Sequence, residues 1–100
     1  MRLDGLSVPD KEFTELLTKY HVKQLALFGS RARGDARPNS DIDLLVDFEQ
    51  NSKIDLFDFV ALKLDLEKML GVSVDLVERE GLKPRVRDSV LAEARLVYAN

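Results

Sequence analysis

The chain has no cysteine and no tryptophan, and its single histidine is His21. Without cysteine there can be no disulfide and no thiolate metal site. With one imidazole, a zinc centre also lacks its usual ligands. Any metal must be held by oxygen, which points to magnesium, manganese or calcium. The three prolines and five glycines are scattered, so no flexible linker or low-complexity tract divides the chain. No apolar run approaches the length of a membrane span, and no long apolar stretch follows Arg2 as in a secretory signal. These absences lead to the expectation of a cytoplasmic protein that does not enter a membrane.

What is present suits one folded unit. The 100 residues are 45% hydrophobic and 33% charged, which argues against disorder. The expectation is a single domain over residues 1–100, with room for one core and no second lobe. A formal charge of −3 supplies no general attraction to nucleic acid, and no direct nucleic-acid binding is expected.

The apolar spacing gives the order of elements. Phe13, Leu16, Leu17 and Tyr20 lie on one face of a helix with Pro9 in its first turn. Val22 to Phe28 is mostly apolar, as expected of a strand covered on both sides. After turn-forming residues 35–40, the stretch Asp41 to Phe48 alternates. Ile42, Leu44, Val46 and Phe48 take one face; Asp41, Asp43, Leu45 and Asp47 take the other.

Residues 55–70 alternate in part, but length and composition favour a helix ending at Gly71. Apolar residues occupy more than one of its faces, which suggests that a partner covers part of it. Val72 to Val77 is the next strand, and Pro84 opens a last helix carrying Val86, Val90, Leu91 and Ala94. Arg85, Arg87 and Arg95 are read onto the polar side of this helix. Leu96 to Tyr98 forms an edge strand. The expected fold is α/β (α+β): a small mixed sheet of about four strands with helices packed on it.

Three features carry chemistry. Asp41 and Asp43 project from the same face of a strand, with Cα atoms roughly 6.5 Å apart. They read either as metal ligands or as an acidic, solvent-facing strand end. Asp75 lies inside an apolar strand, where an unpaired carboxylate is costly to bury. It completes a three-carboxylate cluster if its strand neighbours the first, or else pairs with an arginine. Gly29-Ser30 follows a strand and can receive phosphate on free amides, though many such pairs are ordinary turns. Arg31 and Arg33 meet phosphate, a partner's acidic surface or water. His21, Asp35, Asp47 and Asp65 have only bland readings as helix end, turn, strand end and helix surface.

The stretch Leu27-Phe28-Gly29-Ser30-Arg31-Ala32-Arg33-Gly34 through Ser40-Asp41-Ile42-Asp43-Leu44, with Asp75 later, resembles the nucleotidyltransferase superfamily of DNA polymerase beta. The short, cysteine-free chain is similar to its minimal nucleotidyltransferases (MNT), antitoxins encoded beside HEPN-domain ribonuclease toxins. The resemblance implies a nucleotidyltransferase fold. It implies that Gly29 and Ser30 bind the triphosphate of ATP, and that Asp41, Asp43 and Asp75 bind two magnesium ions. Asp75 then also serves as a possible base. It further implies transfer of AMP to a tyrosine of a HEPN toxin, brought to the site as a separate protein. Two other functions stay open: an antitoxin that neutralises by binding alone, and nucleotidyl transfer to a small molecule.

Overall fold

The computed structural model describes residues 2–3, 6–29 and 41–100. Strands β1 (Arg2–Leu3) and β2 (Leu6–Ser7) form a short antiparallel hairpin that the periodicity had not indicated. Each has two residues, too few to show an alternation. Helix α1 (Asp10–Lys19) follows, then β3 (Val22–Phe28) and β4 (Ile42–Phe48). Helix α2 (Leu56–Leu70), β5 (Val74–Glu78), a 3₁₀ turn (Arg79–Gly81), α3 (Pro84–Glu93) and β6 (Arg95–Ala99) complete the chain.

The main sheet has the order β5-β4-β3-β6. β4 and β5 are parallel, and the other pairs are antiparallel, so the sheet is mixed as expected. The parallel pair needs a crossover, which α2 supplies. Both ends of α2 have local causes. Asp58 N–H donates to Asp55 Oδ1 at 2.8 Å, and Asp55 N–H donates back to Asp58 Oδ2 at 3.2 Å. This reciprocal cap satisfies two backbone groups at the first turn. At the other end Gly71 takes φ 74°, a left-handed conformation that lets the helix stop. Glu67 then reaches past the end, and Val74 N–H donates to its Oε2 at 2.8 Å, fixing the start of β5.

One face of the sheet holds the core. Leu25, Leu27, Ile42, Leu44, Val46, Val74 and Leu76 are buried there against Phe13 and Leu17 of α1 and Leu62, Leu66 and Leu70 of α2. The opposite face is less covered. Along β3 only Val22, Leu25 and Leu27 are buried, Lys23 is exposed, and Gln24, Ala26 and Phe28 are half-buried. Coverage of β3 on both sides is therefore not realised. The helix available to that second face, α3, buries none of its residues. A recess of about 270 Å³ lies between its Leu91 and the sheet residues Ala26 and Leu45.

Three boundaries differ from the expectation. Pro9 sits just outside α1 as its N-cap residue. β5 begins at Val74, because Val72 and Ser73 make the turn out of Gly71. Arg95 belongs to β6, paired with Leu27, because α3 stops at Glu93.

Candidate active site

Strand alternation sends Ile42, Leu44 and Val46 into the core, so Asp43, Leu45 and Asp47 face the other side. The parallel register sets Asp43 opposite Asp75, as it sets Ile42 opposite Val74. Adjacent strands run about 4.8 Å apart, so these two carboxylates are same-face neighbours. Asp41 precedes β4 by one residue and is exposed; Asp75 is exposed and Asp43 half-buried. Ile42 N–H donates to the Ser73 carbonyl at 2.9 Å, which ties the ends of the two strands together beside Asp41. The expected adjacency of the Asp75 strand and the Asp41–Phe48 strand is thus present.

Gly29 meets this group from the other side. Phe28 pairs with Asp43, and the next residue turns away with φ 75°. A Cβ at Gly29 would stand 2.1 Å from Asp43 Oδ2, a distance no side-chain carbon tolerates. Glycine is required here twice over, by the left-handed backbone and by the carboxylate against its α-carbon. Ser30, Arg31 and Arg33 lie outside the described residues, as does Asp35.

The donor set is chemically right for magnesium. It offers only hard carboxylate oxygens at one edge of the sheet, and magnesium needs one or two such ligands beside substrate phosphates and water. Among the described residues, no three acidic or histidine side chains stand gathered at ligand spacing. Carboxylates on strand ends with exposed neighbours can close on a cation by rotation of their side chains.

Glu93, at the end of α3, is a residue that sequence reasoning did not find. Gly29 N–H donates to its Oε1 at 3.2 Å. No spacing signal links residues 64 positions apart, and only the β3–β6 pairing brings them together. Two further acidic residues, Asp47 and Asp65, have separate partners. Asp47 pairs with Arg79 at 3.7 Å, and Asp65 accepts from Tyr20 OH at 3.2 Å rather than merely facing water. His21 is exposed at the turn after α1 and takes no part.

A glycine turn, a strand headed by an Asp-x-Asp pair and a third aspartate on its parallel neighbour meet at one edge of the sheet, the arrangement expected of a nucleotidyltransferase. The family model for the nucleotidyltransferase domain matches residues 10–97, and the chain belongs to that family. Protein adenylyltransferase MntA of Thermococcus cleftensis is 42% identical over 79 residues, covering 79% of this chain and 78% of its own. A solved structure provisionally described as a minimal nucleotidyltransferase is 45% identical, with a TM-score of 0.72 and 87% of each chain covered. The fold is also shared with a chain from a complex of an MNT antitoxin with a tri-AMPylated HEPN toxin of Shewanella oneidensis. That match has a TM-score of 0.64 at 20% identity, over 91% of this chain and 70% of the other. The protein is therefore a nucleotidyltransferase. Among the described residues no helix is long and apolar enough to cross a membrane.

Proposed function

We propose that the chain is a magnesium-dependent protein adenylyltransferase that moves AMP from ATP to a tyrosine of a HEPN-domain toxin and so acts as its antitoxin. The observation that carries this reading is the contact of Gly29 with Asp43, which joins the phosphate turn to the carboxylate pair. Gly29 and Ser30 hold the triphosphate, and Asp41, Asp43 and Asp75 hold two magnesium ions. The ions supply charge neutralisation at the phosphoryl oxygens and at the leaving group.

The tyrosine oxygen attacks the α-phosphorus, the bond from that phosphorus to the bridging oxygen breaks, and pyrophosphate leaves. The phenolic proton passes toward Asp75, the exposed carboxylate of the group. An added AMP brings negative charge and bulk to the toxin, which suffices to disable a ribonuclease surface that must meet RNA. The adenylyltransferase name of the Thermococcus cleftensis relative supports the choice of donor and acceptor class.

Incubation with α-labelled ATP, magnesium and the co-purified partner tests the proposal. Label is expected on the partner, at a tyrosine. Asp41→Asn and Asp43→Asn are each expected to lower it about a thousandfold or more, the several kcal/mol that metal-held charge stabilisation supplies. Full labelling by either variant would remove the metal roles.

A second reading, neutralisation by binding alone, has one observation in its favour. Phe57, Val60 and Leu64 project from the outer side of α2, with Phe57 85% exposed. A helix apolar on every side is ordinarily covered. The two readings separate if the double aspartate variant still silences the toxin at low expression.

A further inference from the structure

We propose that Glu93 is a nucleotide-displaced latch: its carboxylate occupies the Gly29 amide that a nucleotide phosphate takes, so ATP binding and the docking of α3 exclude one another. This rests on the reading that the Gly29-Ser30 turn receives the triphosphate.

The geometry sets up a competition between anions. Gly29 N–H is engaged by Glu93 Oε1 at 3.2 Å, while the Asp43 carboxylate stands where a side chain on the same residue would begin. Two acidic side chains therefore already converge on one residue. A triphosphate arriving at that amide adds a third anion, and a single N–H serves one strong acceptor well. The Glu93 carboxylate, which holds that N–H, must give way.

Packing lets it move. Asp43 is fixed by β4, between Ile42 and Leu44, both fully buried. Glu93 sits at the end of a helix with no buried residue, beside the recess of about 270 Å³ under Leu91. Displacing β4 would open the whole core, whereas α3 has no buried residue of its own and faces one buried sheet residue, Leu45, across the recess. Once α3 lifts, Ala26 and Leu45 on the outer face of the sheet become reachable beside Leu96, which is exposed already. The acceptor then finds its binding surface only after the nucleotide is in place.

The test uses the full chain, magnesium and a non-hydrolysable ATP analogue, so that it does not depend on an acceptor. Glu93→Gln keeps an acceptor for the Gly29 amide and removes the charge; Glu93→Ala removes both. The latch predicts that both variants bind the analogue about three- to tenfold more tightly, as relief of a surface-scale electrostatic competition would give. It also predicts that saturating analogue accelerates amide hydrogen exchange from Val86 to Glu93 in the native chain, where ligands ordinarily slow exchange.

A plain structural anchor gives a different pattern. Glu93→Gln would then match the native affinity, Glu93→Ala would bind more weakly, and exchange in α3 would stay constant or slow. Either of those affinity results, or that exchange result, overturns the latch. Absence of binding by all three proteins overturns the phosphate reading itself, and the latch with it.

Discussion

The two faces of the four-stranded sheet follow opposite rules. The inner face is closed: α1 and α2 bury Leu25, Leu44, Val46, Leu62 and Leu66 completely. The outer face carries Asp43, Asp75 and Asp47 among Ala26, Leu45 and Val77; only Leu45 of these is buried, and its helix α3 has no buried residue of its own. Such a difference is informative because a small domain has little apolar area to spare. Leaving half a sheet thinly covered makes sense when that half must admit a substrate. The strands connect the two faces: each core residue fixes the carboxylate next to it in sequence. Ile42 and Leu44 hold Asp43, and Val74 and Leu76 hold Asp75. Rigid placement of charge is thus a by-product of packing on the reverse side.

If this division holds, damage to the inner face should appear as lost stability and damage to the outer face as lost chemistry. Leu66→Ala removes a side chain with no exposure at all. It is expected to cost about 2–5 kcal/mol, and thermal unfolding should fall by tens of degrees at the upper end of that range. A loss under about 1 kcal/mol would mean that the core is looser than its burial implies. Gly29→Ala is expected to cost about 1–3 kcal/mol for the left-handed backbone and the clash with Asp43. The clash falls on a carboxylate of the candidate site and not on the core, so label transfer should fall far more than the melting temperature. Equal, small losses in both would separate Gly29 from the site.

Most of the fold was legible because its strands alternate and its breaks are chemical. Asp41 to Phe48 follows the period of two at Ile42, Leu44 and Val46, while Leu45 is buried on the opposite face and Phe48 is only half-buried. Gly71 and Pro84 mark a helix end and a helix start by backbone necessity. The half-open state of β3 was not legible, since an apolar run carries no information about how tightly the next layer sits. Arg95 was assigned to the wrong element because α3 and β6 meet with no intervening breaker. Within the site, Asp43 and Asp75 came from local pattern and needed only the register to bring them together. Glu93 came from tertiary contact alone, and nothing around it in sequence distinguishes it from other helical glutamates.

Helix α2 blurs the contrast between faces, because its buried side and its outward side are both apolar. Phe57→Ser is expected to leave stability within about 0.5 kcal/mol, since the ring is 85% exposed and makes little of the core. If a partner covers this side, the same change should weaken the complex by about 2 kcal/mol or more, as aromatic anchors do. Co-purification ratio and a melting curve on the same preparation read both quantities. A stability loss matching that of Leu66→Ala would place Phe57 in the core instead.

The smallest effect concerns the seam between α1 and α2 on the closed side. Tyr20 is 8% exposed, and its hydroxyl donates to Asp65 Oδ2. Burial, and then the charge and hydrogen bond of Asp65 with a contribution from Asp58, push its pKa above the ordinary 10.0. The folded chain therefore keeps this proton to higher pH than the unfolded chain. Between the ordinary value and the raised one, the unfolded state binds fewer protons, so stability falls as pH climbs through that window. Below pH 10 the contribution is fully present. Tyr20→Phe removes the titrating group and its hydrogen bond, so it should cost about 1 kcal/mol at neutral pH. It should also flatten the alkaline decline, so that native and variant curves converge as pH rises past 10. Parallel curves in denaturant titrations from pH 8 to 11 would show that the Tyr20–Asp65 contact does not couple the helices. Convergence would show that even the closed face has one polar joint, set between its two helices and away from the carboxylates.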